Sequence, residues 1–181
     1  MICDKLEINS QELINIANHH PRVNILKPGC GVGGHCIAID PWFLASEFPK
    51  QTPLIQTSRK VNKQKTKWVI NKIKNEINIH KNPKKEKIKV GILGLAFKPD
   101  VDDLRESPAV FIAEQLINEG IDILCSEPFI SSHKKINLFE LNKVIDESEI
   151  IVILVAHSIF KKIDLSSKKV LDFCDALKFN A

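Results

Sequence analysis

The chain of 181 residues has no tyrosine, and aromatic side chains make up only 6% of it. That scarcity bears on the net charge of +4, much of which lies in Lys81-Asn82-Pro83-Lys84-Lys85-Glu86-Lys87-Ile88-Lys89. The run offers no ring on which a base could stack, so it reads as a solvated linker and not as a nucleic-acid surface. No apolar stretch approaches the roughly 20 residues of a membrane-spanning helix. The first residues, Met1-Ile2-Cys3-Asp4-Lys5-Leu6-Glu7, lack the basic and apolar segments of a secretory leader, so the cytoplasm is the expected location. Metal-ligand spacing is missing among the five cysteines (Cys3, Cys30, Cys36, Cys125, Cys174), and their odd number argues against a disulfide framework. Hydrophobic content of 44% and charged content of 27% are ordinary for a globular chain.

What is present falls into two rhythms. The first part is helical: Leu13, Ile14, Ile16 and Ala17 suit one helix face, ended at His19-His20-Pro21. Asp40-Pro41 reads as an N-cap with proline in the first helical position, opening a helix that carries Trp42, Phe43 and Leu44. From Pro53 a longer pattern runs through Ile55, Val61, Trp68, Val69, Ile70, Ile73 and Ile77, and is expected to bury its stripe against another domain or chain. The second part alternates short apolar runs with helices. Strands are expected at 88–94, 121–125, 150–155 and 169–173, with helices opening at Ser107-Pro108 and spanning 140–149. Such alternation predicts an α/β domain with a parallel sheet covered on both faces. The expected boundaries are 1–82 for the helical segment and 83–181 for the Rossmann-like domain.

Three stretches carry chemistry. Gly31, Gly33 and Gly34 free the backbone to wrap closely around a partner, Cys36 follows, and Asp40 lies one helical turn beyond it. A thiol held in such a turn beside a carboxylate suits nucleophilic catalysis; a buried structural cysteine is the plainer alternative. Gly91-Ile92-Leu93-Gly94-Leu95-Ala96 is a degraded dinucleotide turn without its second glycine, which favours a nucleotide pocket over a full NAD site. After the second strand, Glu127 suits either a ribose hydroxyl or the surface. The loop from Phe97 to Pro108 places Lys98 and Arg105 at the carboxyl end of a strand, where open α/β sheets bind ligands and both side chains can hold phosphate. Its aspartates would repel that phosphate unless some are paired, Arg105 being the nearest partner. The alternative is a solvated polar loop.

Gly33-Gly34-His35-Cys36 with Asp40, Leu95-Ala96-Phe97-Lys98-Pro99-Asp100 and Asp102-Asp103-Leu104-Arg105-Glu106-Ser107-Pro108 resemble the motifs of the nucleotide-sugar 6-dehydrogenases. The phrasing His20-Pro21-Arg22 and Cys36-Ile37-Ala38-Ile39-Asp40-Pro41-Trp42-Phe43 is similar to the branch that oxidises UDP-N-acetyl-D-mannosamine. The resemblance implies a helical dimerisation segment followed by a UDP-sugar-binding domain. It also implies NAD as cofactor, and two hydride transfers through a cysteine thiohemiacetal and thioester. Residue by residue, it gives Cys36 as nucleophile and Asp40 as an aid to water. Gly33, His20, Arg22 and Lys98 fall on substrate positions, with His20 and Arg22 reaching across a homodimer interface, and Arg105 falls on a cofactor contact. Nothing matches the family's amino-terminal NAD domain, so an inactive isolated chain is expected, with that domain on a separate polypeptide as one way to restore activity. Asp172-Phe173-Cys174-Asp175 stands where the family carries a basic residue. The alternatives are a dehydrogenase for another UDP-sugar (UDP-N-acetylglucosamine or UDP-glucose) or a non-catalytic remnant. Cys3 and Cys125 read as core, a Cys30–Cys36 disulfide would block the nucleophile, and His133 and His157 read as surface or loop residues.

Overall fold

The structure is a computed structural model and describes residues 1–81 and 87–177. The expected boundary between residues 82 and 83 lies outside the described residues, as does most of the lysine-rich linker. The helices α1 (Ile2–Lys5) and α2 (Ser10–Ala17) open the chain. The Asn9 side chain caps α2 by accepting from the amides of Gln11 and Glu12. α3 spans Asp40–Glu47, and α4 runs over Pro53–His80 with proline in its first turn. The α3 start corrects the expectation by one residue. The amide of Asp40 already donates to the Cys36 carbonyl at 2.8 Å, so Asp40 is inside the helix and Ile39 takes the cap position.

β1 (Val90–Leu93), α5 (Pro108–Asn118), β2 (Ile123–Ser126), α6 (Leu141–Glu147), β3 (Ile150–Ile153), a 3-10 turn (Ser158–Lys162) and β4 (Lys169–Asp172) complete the chain. The strands form a 4-stranded parallel sheet in the order β2-β1-β3-β4. The chain therefore reverses its winding between β1 and β3, and the loops after those two strands meet at the carboxyl rim.

Both sheet faces are covered. Val90, Ile92, Ile150 and Val152 pack with Ile112 and Leu116 of α5 and with Val69, Ile70 and Ile73 of α4. On the other face Leu93, Ile151 and Ile153 pack with Val144 of α6 and with Phe160. The stripe of α4 thus finds its partner in the sheet domain. Val69 and Ile73 are fully buried, each contributing about 1.5–3 kcal/mol of transfer free energy. Gly91 has a packing role. A methyl group there would stand 2.7 Å from Ile151 and 2.9 Å from Val144, so its place in the degraded fingerprint reflects the close seat of α6. No helix among the described residues is long and apolar enough to cross a membrane.

Candidate active site

The glycine loop is anchored before it reaches Cys36. Cys30 is buried, and its thiol donates to the Leu154 carbonyl at 3.4 Å, just past β3. Burial pushes that thiol up to about 12, so it stays protonated and inert. From α4, the Thr66 hydroxyl donates to the Cys30 carbonyl at 3.2 Å, and Asn62 holds both the amide and the carbonyl of Val32 at 2.8 and 2.9 Å. Gly33 then lies flat against the backbone of Glu106 and the ring of Pro108, where any side chain would collide. The Gly34 amide donates to the Arg105 carbonyl at 3.0 Å. With the loop fixed on these supports, His35 and Cys36 stand exposed at its tip.

Facing them is the segment after β1. Ser107 caps α5 and its hydroxyl donates to the Leu95 carbonyl at 2.6 Å, closing the segment on itself. The Phe97 ring meets His35 edge-on with centroids 6.5 Å apart, and the Lys98 ammonium stands 5.5 Å from the Phe97 centroid. Arg105 grips Asp103 through Nε (3.0 Å to either oxygen) and Nη2 (2.6 Å), so the pairing of one aspartate with Arg105 is borne out. That grip, with the Arg105 amide, holds the Asp103 carboxyl at about 2. The guanidinium is in turn pushed up, by Asp103 first and at longer range by the Cys36 sulfur. His35 Nδ1 lies 3.8 Å from Asp103. Contacts therefore link His35 with Asp103 and Arg105, and Phe97 with His35 on one side and Lys98 on the other, while Gly33 rests on Glu106 and Pro108.

Other candidates sit apart. His20 and Arg22 are exposed on a turn that Asn18 clamps through both polar groups of Ile25, at 2.7 and 3.0 Å. No described contact joins them to the rim. Asp40 is exposed in the first turn of α3, one backbone turn from Cys36. The cysteines are all free thiols, so the Cys30–Cys36 disulfide is not formed. Cys125 is buried as expected, but Cys3 is only partly so.

Glu127 departs from its expected roles, and His157, in the loop after β3 as expected, is buried and not at the surface. Both side chains are fully buried, and they bond to each other at 3.1 Å. Glu127 also accepts from the amides of Leu95 and Ala96 at 2.6 and 3.0 Å, so it is neither a ribose contact nor a surface residue. Burial opposes its charge, but the His157 bond and those amides together outweigh it and hold the carboxyl below its ordinary value. The only signal in the sequence was placement, since Glu127 directly follows β2 and His157 lies four residues beyond β3, both on the carboxyl side of the sheet.

The cofactor can be tested against these residues. In dinucleotide folds the amides of the β1 turn face a pyrophosphate. Here Glu127 already holds them, so the turn does not fit NAD. Arg105, with a side chain 63% exposed and paired with Asp103, fits a single contact to a cofactor held chiefly by other residues. Among the described residues no cluster of histidine, cysteine or acidic side chains could hold a metal ion.

An exposed thiol on a glycine loop, docked beside the switch point of a parallel sheet, defines a thiol-bearing α/β protein, a class in which ligand sites lie at that carboxyl rim. Known proteins narrow the class. Residues 1–64 match the central domain, and residues 91–178 the UDP binding domain, of the UDP-glucose/GDP-mannose dehydrogenase family. A UDP-N-acetyl-D-mannosamine dehydrogenase of Campylobacter jejuni is 47% identical over 96% of this chain and 43% of its own. An NDP-N-acetyl-D-galactosaminuronic acid dehydrogenase of Ralstonia solanacearum is 41% identical over 95% of this chain and 41% of its own. The solved UDP-N-acetyl-mannosamine dehydrogenase of Staphylococcus aureus superposes with a TM-score of 0.81 at 36% identity, covering 98% of this chain and 42% of that one. The chain belongs to the UDP-glucose/GDP-mannose dehydrogenase family, and it spans about two fifths of the length of the relatives it matches.

Proposed function

We propose that the chain is the carboxyl-terminal portion of an NAD-dependent nucleotide-sugar 6-dehydrogenase that oxidises UDP-N-acetyl-D-mannosamine to UDP-N-acetyl-D-mannosaminuronate. The observation that carries this reading is the exposed Cys36 thiol, on a loop docked through Gly33 and Gly34 onto the rim that bears Lys98 and Arg105. Relatives named for UDP-N-acetyl-D-mannosamine support the sugar.

NAD would supply the hydride acceptor for the two oxidations, alcohol to aldehyde and thiohemiacetal to thioester, with one NAD consumed in each. The Cys36 thiolate adds to the aldehyde carbon, forming the C–S bond while the carbonyl oxygen takes a proton. Sulfur then keeps the acyl group until water adds to the acyl carbon, the C–S bond breaks and the uronate leaves. Asp40 takes the proton of that water. Lys98 meets the diphosphate as a point charge, and His20 and Arg22 reach the nucleotide sugar from their turn. Gly33 lets the backbone approach the sugar, and Arg105 touches the cofactor. A second copy of the chain covers exposed apolar side chains such as Leu13, Ile16, Phe43 and Leu54. The NAD-binding domain is carried on the same or a separate polypeptide.

The test is NADH formation with UDP-N-acetylmannosamine, UDP-glucose and UDP-N-acetylglucosamine, with and without a supplied NAD-binding domain. Turnover of the mannosamine sugar that Cys36→Ala lowers by about a thousandfold or more supports the reading. Preference for another sugar favours the second reading, a dehydrogenase of a different nucleotide sugar, which the 41% identical galactosaminuronate relative supports. No turnover by a folded complex leaves a non-catalytic binding remnant. Sedimentation at micromolar concentration tests the dimer, and a monomer contradicts it.

A further inference from the structure

Glu127 and His157 take no part in the proposed chemistry, yet they form a fully buried polar pair at the rim, each side chain with 0% exposure. One Glu127 oxygen accepts from Leu95 N at 2.6 Å, Ala96 N at 3.0 Å and His157 Nε2 at 3.1 Å; the other accepts from Phe129 N at 3.2 Å. A carboxylate of the chain thus stands where a dinucleotide fold would place a phosphate, and the turn is shaped before any ligand arrives. On the far side of the imidazole, Nδ1 accepts from the Asp100 amide at 2.9 Å, which assigns the ring proton to Nε2. Asp100 adopts the left-handed region at φ 58, and its carboxylate takes the amide and hydroxyl of Ser158 at 2.8 and 3.0 Å. The rings of Phe129 and Phe160, at 5.1 and 5.3 Å, pack against the imidazole and keep it from swinging.

The segment 95–100 is therefore held at both ends by one buried pair, at Leu95 and Ala96 through Glu127 and at Asp100 through His157. Between those ends stand Phe97, packed on His35 and Gly34, and the exposed Lys98. We propose that Glu127 and His157 are positioning residues for Lys98, an internal carboxylate–imidazole pair that presets the segment so that the ammonium meets the anionic part of a nucleoside diphosphate. The proposal rests on the function proposed above. Donors and acceptors alternate along the pair, so changing either member leaves a buried polar atom without its partner and loosens the segment.

The test is calorimetric titration of the full chain with UDP, beside thermal unfolding, for wild type, Lys98→Ala, His157→Gln and the double variant. Each single change is expected to weaken UDP about tenfold, in the range of a lost charge-assisted bond. The double variant is expected to bind no more weakly than Lys98→Ala, while its melting temperature still falls by the amount that His157→Gln costs alone. A merely structural role would lower stability without this coupling to Lys98. Additive losses of affinity, or UDP binding by His157→Gln at the wild-type level, would overturn the proposal and leave the proposed function standing. Failure of the wild type to bind UDP would overturn both. If His157→Gln does not fold, Glu127→Gln takes its place in the same cycle, with the same outcomes deciding.

Discussion

The two regions of the molecule are held together in opposite ways. Before α4 the buried residues among those described are Cys30, Gly33, Gly34, Ala38, Ala45 and Thr52, whereas β1 and β3 are buried at every position. The helical region has almost no interior of its own. Its buried positions cluster around the glycine loop, and the contacts that bury them come largely from α4, the end of β3 and the segment at Arg105–Pro108. Cys36 is therefore placed by α4 and the sheet region together, although the segment that carries it has almost no interior of its own. An exposed thiol can hold a defined place only because the residues just before it are fixed elsewhere.

The comparison is broken most directly by mutating one apolar residue from each region. Ile73→Ala, in the seam between α4 and the sheet, is expected to cost about 2–5 kcal/mol in denaturant unfolding. Leu13→Ala, at 42% exposure on α2, is expected to cost about 0.5 kcal/mol or less at concentrations where the chain is monomeric. Equal costs would mean that the helical region carries an interior of its own. A smaller effect sharpens the account of the loop. Gly33→Ala sets a methyl group against the Glu106 backbone and should destabilise by about 1–3 kcal/mol, with UDP affinity falling alongside. Unchanged unfolding and unchanged UDP affinity would show that the loop does not rest where it is described.

The smallest effect concerns acid. The Glu127 carboxyl is held below its ordinary value in the folded chain, burial notwithstanding, by His157 and the Leu95 and Ala96 amides. Its contribution is therefore fully present above the ordinary glutamate range and is lost as pH falls through the depressed folded value. Wild type should lose stability across that acid window more steeply than Glu127→Gln. Parallel profiles for the two proteins would count against the buried charge.

Much of this was legible in the sequence, and the reasons are physical. Short apolar runs alternating with helical patterns marked the strands, because strands buried on both faces need apolar side chains throughout. Ser107-Pro108 marked the start of α5 through local capping chemistry alone. Cys36, Lys98 and Arg105 were visible through their motifs, and the structure leaves all three exposed, Lys98 and Arg105 on the segment after β1 and Cys36 on the glycine loop docked against that segment. The start of α3 was misread by one residue, because the Cys36–Asp40 backbone bond, absent from any propensity, pulls Asp40 into the helix. Glu127 and His157 were misread more deeply. Their partners are amides of Leu95, Ala96 and Asp100, far away in the chain, and no local pattern reports which side chain turns inward to meet them. A polar residue at a strand end is ambiguous until the fold shows which backbone donors lie opposite it.

The central claim, that Cys36 stands in a nucleotide-sugar site, is tested most directly by alkylation. The full chain would be treated with iodoacetamide over a range of UDP-N-acetylmannosamine concentrations, and the rate at each cysteine read by peptide mass spectrometry. The account predicts that Cys36 reacts first, with buried Cys30 and Cys125 spared, and that the sugar nucleotide slows its labelling in a saturable way. Labelling of Cys36 at the same rate at every concentration of the sugar nucleotide would contradict it.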